Sequence, residues 1–186
     1  MLSLEQNEAA AKDFCSTLAL DDNIEDAWRG QVEALIAAGD LVQAGSIAVQ
    51  ALEKFPRSAG LRNALGVVYT RQKEADKALS CFQQSVKLDP GNPEALANLG
   101  ITAEQLGNLP LAEQSLQRAL EVRPGYHVAH FHLAHLASHE GTPEEVAALK
   151  AALASAASKK AKTDLQFALG KTLAKLGDHE RAFPCF

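Results

Sequence analysis

Residues 93–106 read Pro93-Glu-Ala-Leu-Ala-Asn-Leu-Gly-Ile-Thr-Ala-Glu-Gln-Leu106, and the reading of this stretch decides the fold. Its apolar residues recur three and four apart, the spacing of one helical face. Asn92 stands where a side-chain oxygen caps a first turn. Pro93 falls on the first helical position, where a missing N–H costs nothing. Gly107 then offers a left-handed stop, and Asn108 opens a second helix through about Val122. The stretch is therefore the first arm of a helical hairpin.

Outward from this hairpin the sequence repeats itself. Leu99-Gly100 has counterparts 34 residues away at Leu65-Gly66 and Leu133-Ala134, and 36 residues beyond the latter at Leu169-Gly170. Pro56, Pro90 and Pro124 keep the same beat, as do Gly39, Gly107, Gly141 and Gly177. So do Ala44, Ala78 and Ala112, followed by Val146 and Ala182. Small residues recur where two helices must approach closely, and a bulky side chain there would cost about 1–3 kcal/mol. Asp40 and Asp178 follow their glycines as Asn108 does, and Thr142-Pro143-Glu144-Glu145 reads as a capping box. Asp21-Asp22 reads as a cap for the helix of the first repeat.

This pattern resembles the tetratricopeptide-repeat family. The residues that carry the resemblance are Trp28; Leu65-Gly66 with Tyr69; Ala78 with Phe82 and Leu88-Asp89-Pro90; Leu99-Gly100 with Ala112, Ala119 and Pro124; and Leu169-Gly170 with Gly177 and Ala182. It implies an all-α fold over residues 1–186, a right-handed superhelical solenoid of antiparallel helix pairs. The frame places a partial repeat at 1–24, repeats at 25–58, 59–92, 93–126 and 127–162, and a partial repeat at 163–186. Lys73 departs from the pattern by replacing the turn glycine of the second repeat. Residues 3–19, with Ala10, Phe14 and Leu18 on one face, fit the second helix of a repeat. The last residues, Ala182, Phe183, Cys185 and Phe186, are not a polar cap of the kind solenoid ends need. Two expectations follow: the chain is a piece of a longer protein, or this end pairs with a second copy as a homodimer. Residues 165–183 also resemble the repeat that precedes the catalytic domain of bacterial tetratricopeptide–sulfotransferase chains.

Composition excludes several function classes. Hydrophobic residues make up 47% of the chain, enough for a core, and 18 Lys+Arg are outnumbered by 23 Asp+Glu. With no long basic stripe, nucleic acid is not an expected partner. Segments free of charge are too short to span a bilayer, so no membrane partner is expected either. The N-terminus lacks a basic start with an apolar run, and Cys15, Cys81 and Cys185 are widely spaced. Both features point to a cytoplasmic, reducing compartment.

Little catalytic chemistry is visible. Gly170-Lys171-Thr172 lacks the glycine that a phosphate loop needs at position 165, where Leu165 stands. Five of six histidines (His127, His130, His132, His135 and His139) are expected on the first helix of the fourth repeat. There His132, His135 and His139 would lie within about 60° of one another, and His135 with His139 has a chelating spacing. A structural metal site needs about four ligands, and no neighbouring cluster supplies the rest. His139-Glu140 does not continue to H-E-x-x-H. Lys159-Lys160-Ala161-Lys162 reads as a solvated basic run. No cofactor is implied and the chain reads as non-catalytic.

The resemblance implies that first helices line a concave groove whose exposed stripe reads a ligand. Helical phase assigns that stripe to Arg29, Glu33 and Ile36; Asn63, Val67, Thr70 and Arg71; and Glu94, Ala97, Ile101 and Gln105. It continues with Val128, Phe131, His135 and His139, then Phe167, Lys171 and Lys175. Mixed polarity with two aromatics suits an extended or helical protein segment. Glu33 and Glu94 stand where relatives that clamp a terminal carboxylate carry basic or amide groups, so a chaperone clamp is rejected. Two functions remain: a scaffold or adaptor that binds a protein or peptide ligand, and the accessory arm of a larger transferase, sulfotransferase-like or other.

Overall fold

The computed structural model describes residues 2–136 and 138–185, with side chains from residue 6 onward. It is all-α, with no strand among the described residues. Among the described residues no helix is long and apolar enough to cross a membrane. Contacts divide the chain into two compact units, Met1–Pro90 and Gly91–Phe186.

The first unit holds α1 (Leu2–Leu20), α2 (Glu25–Ala38), α3 (Leu41–Lys54), α4 (Ala59–Arg71) and α5 (Ala75–Leu88). Each helix packs on the next one up to the pair of α4 and α5, and α2 also reaches α4. Local chemistry sets the boundaries. Asp40 and Ser58 accept from Gln43 and Leu61 N–H groups at the starts of α3 and α4, and Gly39 ends α2 at φ 86°. Lys73 takes the turn glycine's place in the left-handed region, at φ 66°. Asp21-Asp22 is not the cap expected of it. Ile24 occupies that position without a side-chain bond, while Asp22 pairs with Lys54 at 2.5 Å and its carbonyl accepts from Trp28 Nε1 at 2.8 Å. The expected close approach is present: a Cβ at Gly66 would lie 2.5 Å from the Phe82 ring. Phe82 is among the largest fully buried side chains. Cys81 packs against the core as a partly buried hydrophobe, and burial raises its thiol pKa.

The second unit holds α6 (Pro93–Gln105), α7 (Leu109–Val122), α8 (His127–His135), α9 (Pro143–Ser155), α10 (Lys159–Lys175) and α11 (His179–Ala182), then a 3₁₀ turn, Phe183–Cys185. The hairpin of α6 and α7 forms as its sequence specifies. Asn92 accepts from the N–H groups of Glu94 and Ala95, Gly107 sits at φ 76°, and Asn108 accepts from Leu111 N–H. A Cβ at Gly100 would lie 2.8 Å from Leu116 and 3.0 Å from the Ala112 carbonyl. The next hairpin departs from the frame. α8 is nine residues long, four fewer than α6, and stops at His135 instead of running to residue 139. Its main contact is with α10, which also packs on α9. The Thr142–Glu145 capping box, with both reciprocal bonds, starts α9.

Candidate functional site

Lines of exposed side chains on first helices are the candidate site in each unit. In the first unit the stripe is polar. Arg29 pairs with Asp26 at 2.9 Å and lies 4.0 Å from Glu33, and its stem rests on Gly60, whose Cβ would meet Arg29 Cδ at 3.0 Å. Asn63 and Thr70 are half-buried, and Arg71 is exposed at the end of α4. Thr70 is occupied, donating to the Gly66 carbonyl at 2.9 Å. Two assignments shift inward because the stripe curves into the helix contact: Ile36 is 9% exposed, and Val67 packs against the core.

In the second unit, α8 and α10 bring four of the expected residues together. His135 stacks on Phe167, with rings nearly parallel and centroids 5.0 Å apart. Phe131 lies 4.4 Å from His135 and 5.7 Å from Phe167. Lys171 places Nζ 5.7 Å from the Phe167 ring, a cation–π contact. The His135 Nδ1 lies 2.8 Å from the Phe131 carbonyl. A carbonyl only accepts, so Nδ1 carries a proton and donates it. Gln105 and Glu94 are exposed on α6, with Ile101 and Val128 half-buried beside the stripe. Ala97, at 1% exposed, is core.

Histidines tie this surface to its neighbours. His127 Nδ1 lies 2.9 Å from Asp164 of α10, and His132 Nδ1 lies 3.4 Å from Glu104 of α6. Burial lowers the His132 pKa despite the adjacent carboxylate. His130 points inward, donating Nε2–H to the Pro124 carbonyl at 2.8 Å, and burial lowers its pKa too.

Two expected groove residues are corrected. His139 is not on α8: it lies in the connection after it, 6% exposed, with Nδ1 2.9 Å from Glu113 and Nε2 2.8 Å from Glu145. It therefore leaves both the stripe and the chelating trio with His132 and His135. No group of three or more His, Cys, Asp or Glu among the described residues is arranged to hold a metal. Lys175 turns its Nζ onto the carbonyls of Leu136 and His139, at 2.8 and 2.6 Å, filling acceptors that the early end of α8 leaves open. Lys175 and Glu113 lie 36 and 26 residues from His139 along the chain, and Glu145, six residues away, belongs to the next helix, so the phase of one helix has no sight of them. Gly170-Lys171-Thr172 lies inside α10, where Thr172 is buried and donates to the Ala168 carbonyl. The residues of the expected end contact divide: Phe183 is 83% exposed, and Phe186 lies outside the described residues.

Comparison with known proteins agrees with this architecture. Residues 65–154 match the family model described as "Tetratricopeptide repeat". The chloroplastic tetratricopeptide repeat domain-containing protein PYG7 of Arabidopsis thaliana is 41% identical over 71 residues, which are 38% of this chain and 24% of PYG7. A probable UDP-N-acetylglucosamine–peptide N-acetylglucosaminyltransferase SPINDLY of Hordeum vulgare is 32% identical over 134 residues, 72% of this chain and 11% of that protein. The chain thus spans about a quarter or less of these relatives. Among solved structures, YrrB, described as a TPR protein with an unusual peptide-binding site, superposes with a TM-score of 0.69 at 21% identity, covering 95% of this chain and 90% of its own. MamA gives 0.66 at 19%, covering 87% of each chain. Residues 65–154 match the tetratricopeptide repeat, and the fold of the chain is that of solved tetratricopeptide-repeat proteins.

Proposed function

We propose that the exposed stripe on the first helices docks a segment of a partner protein, and that the chain works as a non-catalytic scaffold or adaptor. The observation that carries this reading is the group formed by Phe131, His135, Phe167 and Lys171. Two phenyl faces and an imidazole lie at the surface with a lysine that no carboxylate pairs among the described residues. Apolar faces beside a cation that no carboxylate pairs among the described residues suit a segment with a bulky apolar side chain next to an acidic one. The likeness to YrrB supports the choice of a peptide as ligand class.

The test is affinity capture with the intact chain and an Arg71→Glu/Phe131→Ala variant, followed by titration of a captured partner's segment. Loss of the partner from the variant, with its helical content unchanged, is the expected result. Identical partners on both proteins would end the groove reading. A second reading, the accessory arm of a longer transferase, draws on the length of the relatives, of which SPINDLY matches along only 11%. The sulfotransferase-like version of that arm comes from residues 165–183. A reading frame that continues past residue 186 into an α/β domain would favour it, and a stop codon there would favour the adaptor. Pairing of two copies through Phe183 belongs to the same proposal. Light scattering that returned a monomer at high concentration would count against it.

A further inference from the structure

His139 is buried between two carboxylates, and both ring nitrogens are engaged, with Glu113 Oε1 at 2.9 Å on one side and Glu145 Oε2 at 2.8 Å on the other. A neutral imidazole has one N–H, so its second nitrogen would turn a lone pair toward a carboxylate oxygen. Two ionised partners can be satisfied together only by the imidazolium. The same carboxylates are tied into the structure around them. Glu145 Oε2 accepts from Thr142 N–H at 3.2 Å as part of the capping box of α9, and Glu113 Oε2 accepts from Ser138 Oγ at 3.3 Å. From α10, Lys175 Nζ grips the His139 carbonyl. From α8, His130 lies close enough to favour the Glu145 charge. Two anions and two cations therefore meet at the place where α8 is cut short.

We propose that His139 is a proton-operated latch: as imidazolium it pins the connection between α8 and α9 to α7 and α9, and loss of its proton releases that connection. The electrostatics have the required sign. The hydrogen bond that His139 donates to Glu145 is the largest influence and raises the His139 pKa above its ordinary 6.5; burial opposes it, and Glu113 adds to it. A group whose pKa is raised on folding contributes stability that is complete below the unfolded value and is lost as pH climbs through the folded one. The latch is thus closed in mildly acidic solution and opens on alkalinisation. Burial resists the charge on Glu145, but its bonds with His139 and Thr142 leave its pKa below the ordinary 4.5, so acid opens the latch only further down. Release would leave the two carboxylates without the imidazolium between them, and would free Leu136 and His139 to continue α8 in the register that α6 keeps to Gln105. This device does not depend on what the groove binds.

The test uses the full chain. Ring-nitrogen NMR should show His139 still doubly protonated above the ordinary histidine value of 6.5. Over about pH 6 to about pH 9, exchange at the Leu136 and Thr142 amides should accelerate at least about tenfold beyond the intrinsic base-catalysed rise. Glu113→Gln and Glu145→Gln should each shift the His139 titration down, and His139→Asn should exchange fast at every pH. If the asparagine variant fails to fold, the two glutamine variants still decide the matter. A His139 ring that titrates at or below the ordinary histidine value, or protection that is flat with pH in the unsubstituted chain, would overturn the proposal.

Discussion

At the scale of single residues, the turn between α4 and α5 holds a side chain where its counterparts hold none. Gly39, Gly107, Gly141 and Gly177 all end helices or loops at positive φ, and Lys73 does the same at φ 66°. A Cβ in the left-handed region meets the following carbonyl, at about 1–2 kcal/mol, and Glu74 and Thr70 nevertheless close the turn with bonds of 2.9 and 3.2 Å. Lys73→Gly should therefore stabilise the first unit by about 0.5–1 kcal/mol once the greater chain entropy of glycine is subtracted. A urea midpoint that rises at constant slope would agree, and one that falls would show that the lysine stem holds something the turn needs. Sequence made this residue conspicuous because the repeat supplies three or four copies of each position to compare. The same comparison marked Gly66 and Gly100, each a place where an added methyl would press into a buried side chain. It failed at Asp21-Asp22, where only the composition of a turn was available and Trp28 and Lys54 had already claimed the aspartate.

The length of a helix is set by different forces than its existence. Both arms of the 93–122 hairpin were legible because their signals are local: an asparagine cap, a first-turn proline, a glycine stop. α8 has the periodicity of a thirteen-residue helix and ends after nine because Glu113 and Lys175, distant in sequence, and Glu145, six residues beyond His139, offer better partners to Leu136 and His139 than another turn of helix does. The candidate site divides along the same line. Phe131, His135, Phe167 and Lys171 came from helical phase, while His139 and Lys175 were misplaced by it. Glu145 serves the cap of α9 and the imidazole at once, so these elements should be energetically coupled. Thr142→Ala removes the acceptor of Glu145 N–H and should cost about 1 kcal/mol. Combined with His139→Asn, its effect should depart from additivity by about 0.5–1 kcal/mol in chemical denaturation. Additivity within error would separate the cap from the histidine.

At the scale of the chain, contacts gather into Met1–Pro90 and Gly91–Phe186, and each unit has its own buried cluster, one around Val32, Leu65 and Val68 and another around Leu149, Leu165 and Leu173. Stacked repeats draw their stability from each hairpin and its nearest neighbours, with no central core that spans the chain. Local damage should then stay local. Phe82, at 1% exposed, fills the space beneath Gly66, between α4 and α5. Phe82→Ala should cost about 3–5 kcal/mol, the loss of a buried ring plus the cavity left behind. Native-state hydrogen exchange should show that loss in Leu61–Val68 and in α5, while Leu165–Leu173 in α10 keeps its protection, because none of those residues shares a buried cluster with Phe82. An equal fall in both places would mean that the chain unfolds as one cooperative body, and the division at Pro90 would then mark no energetic boundary.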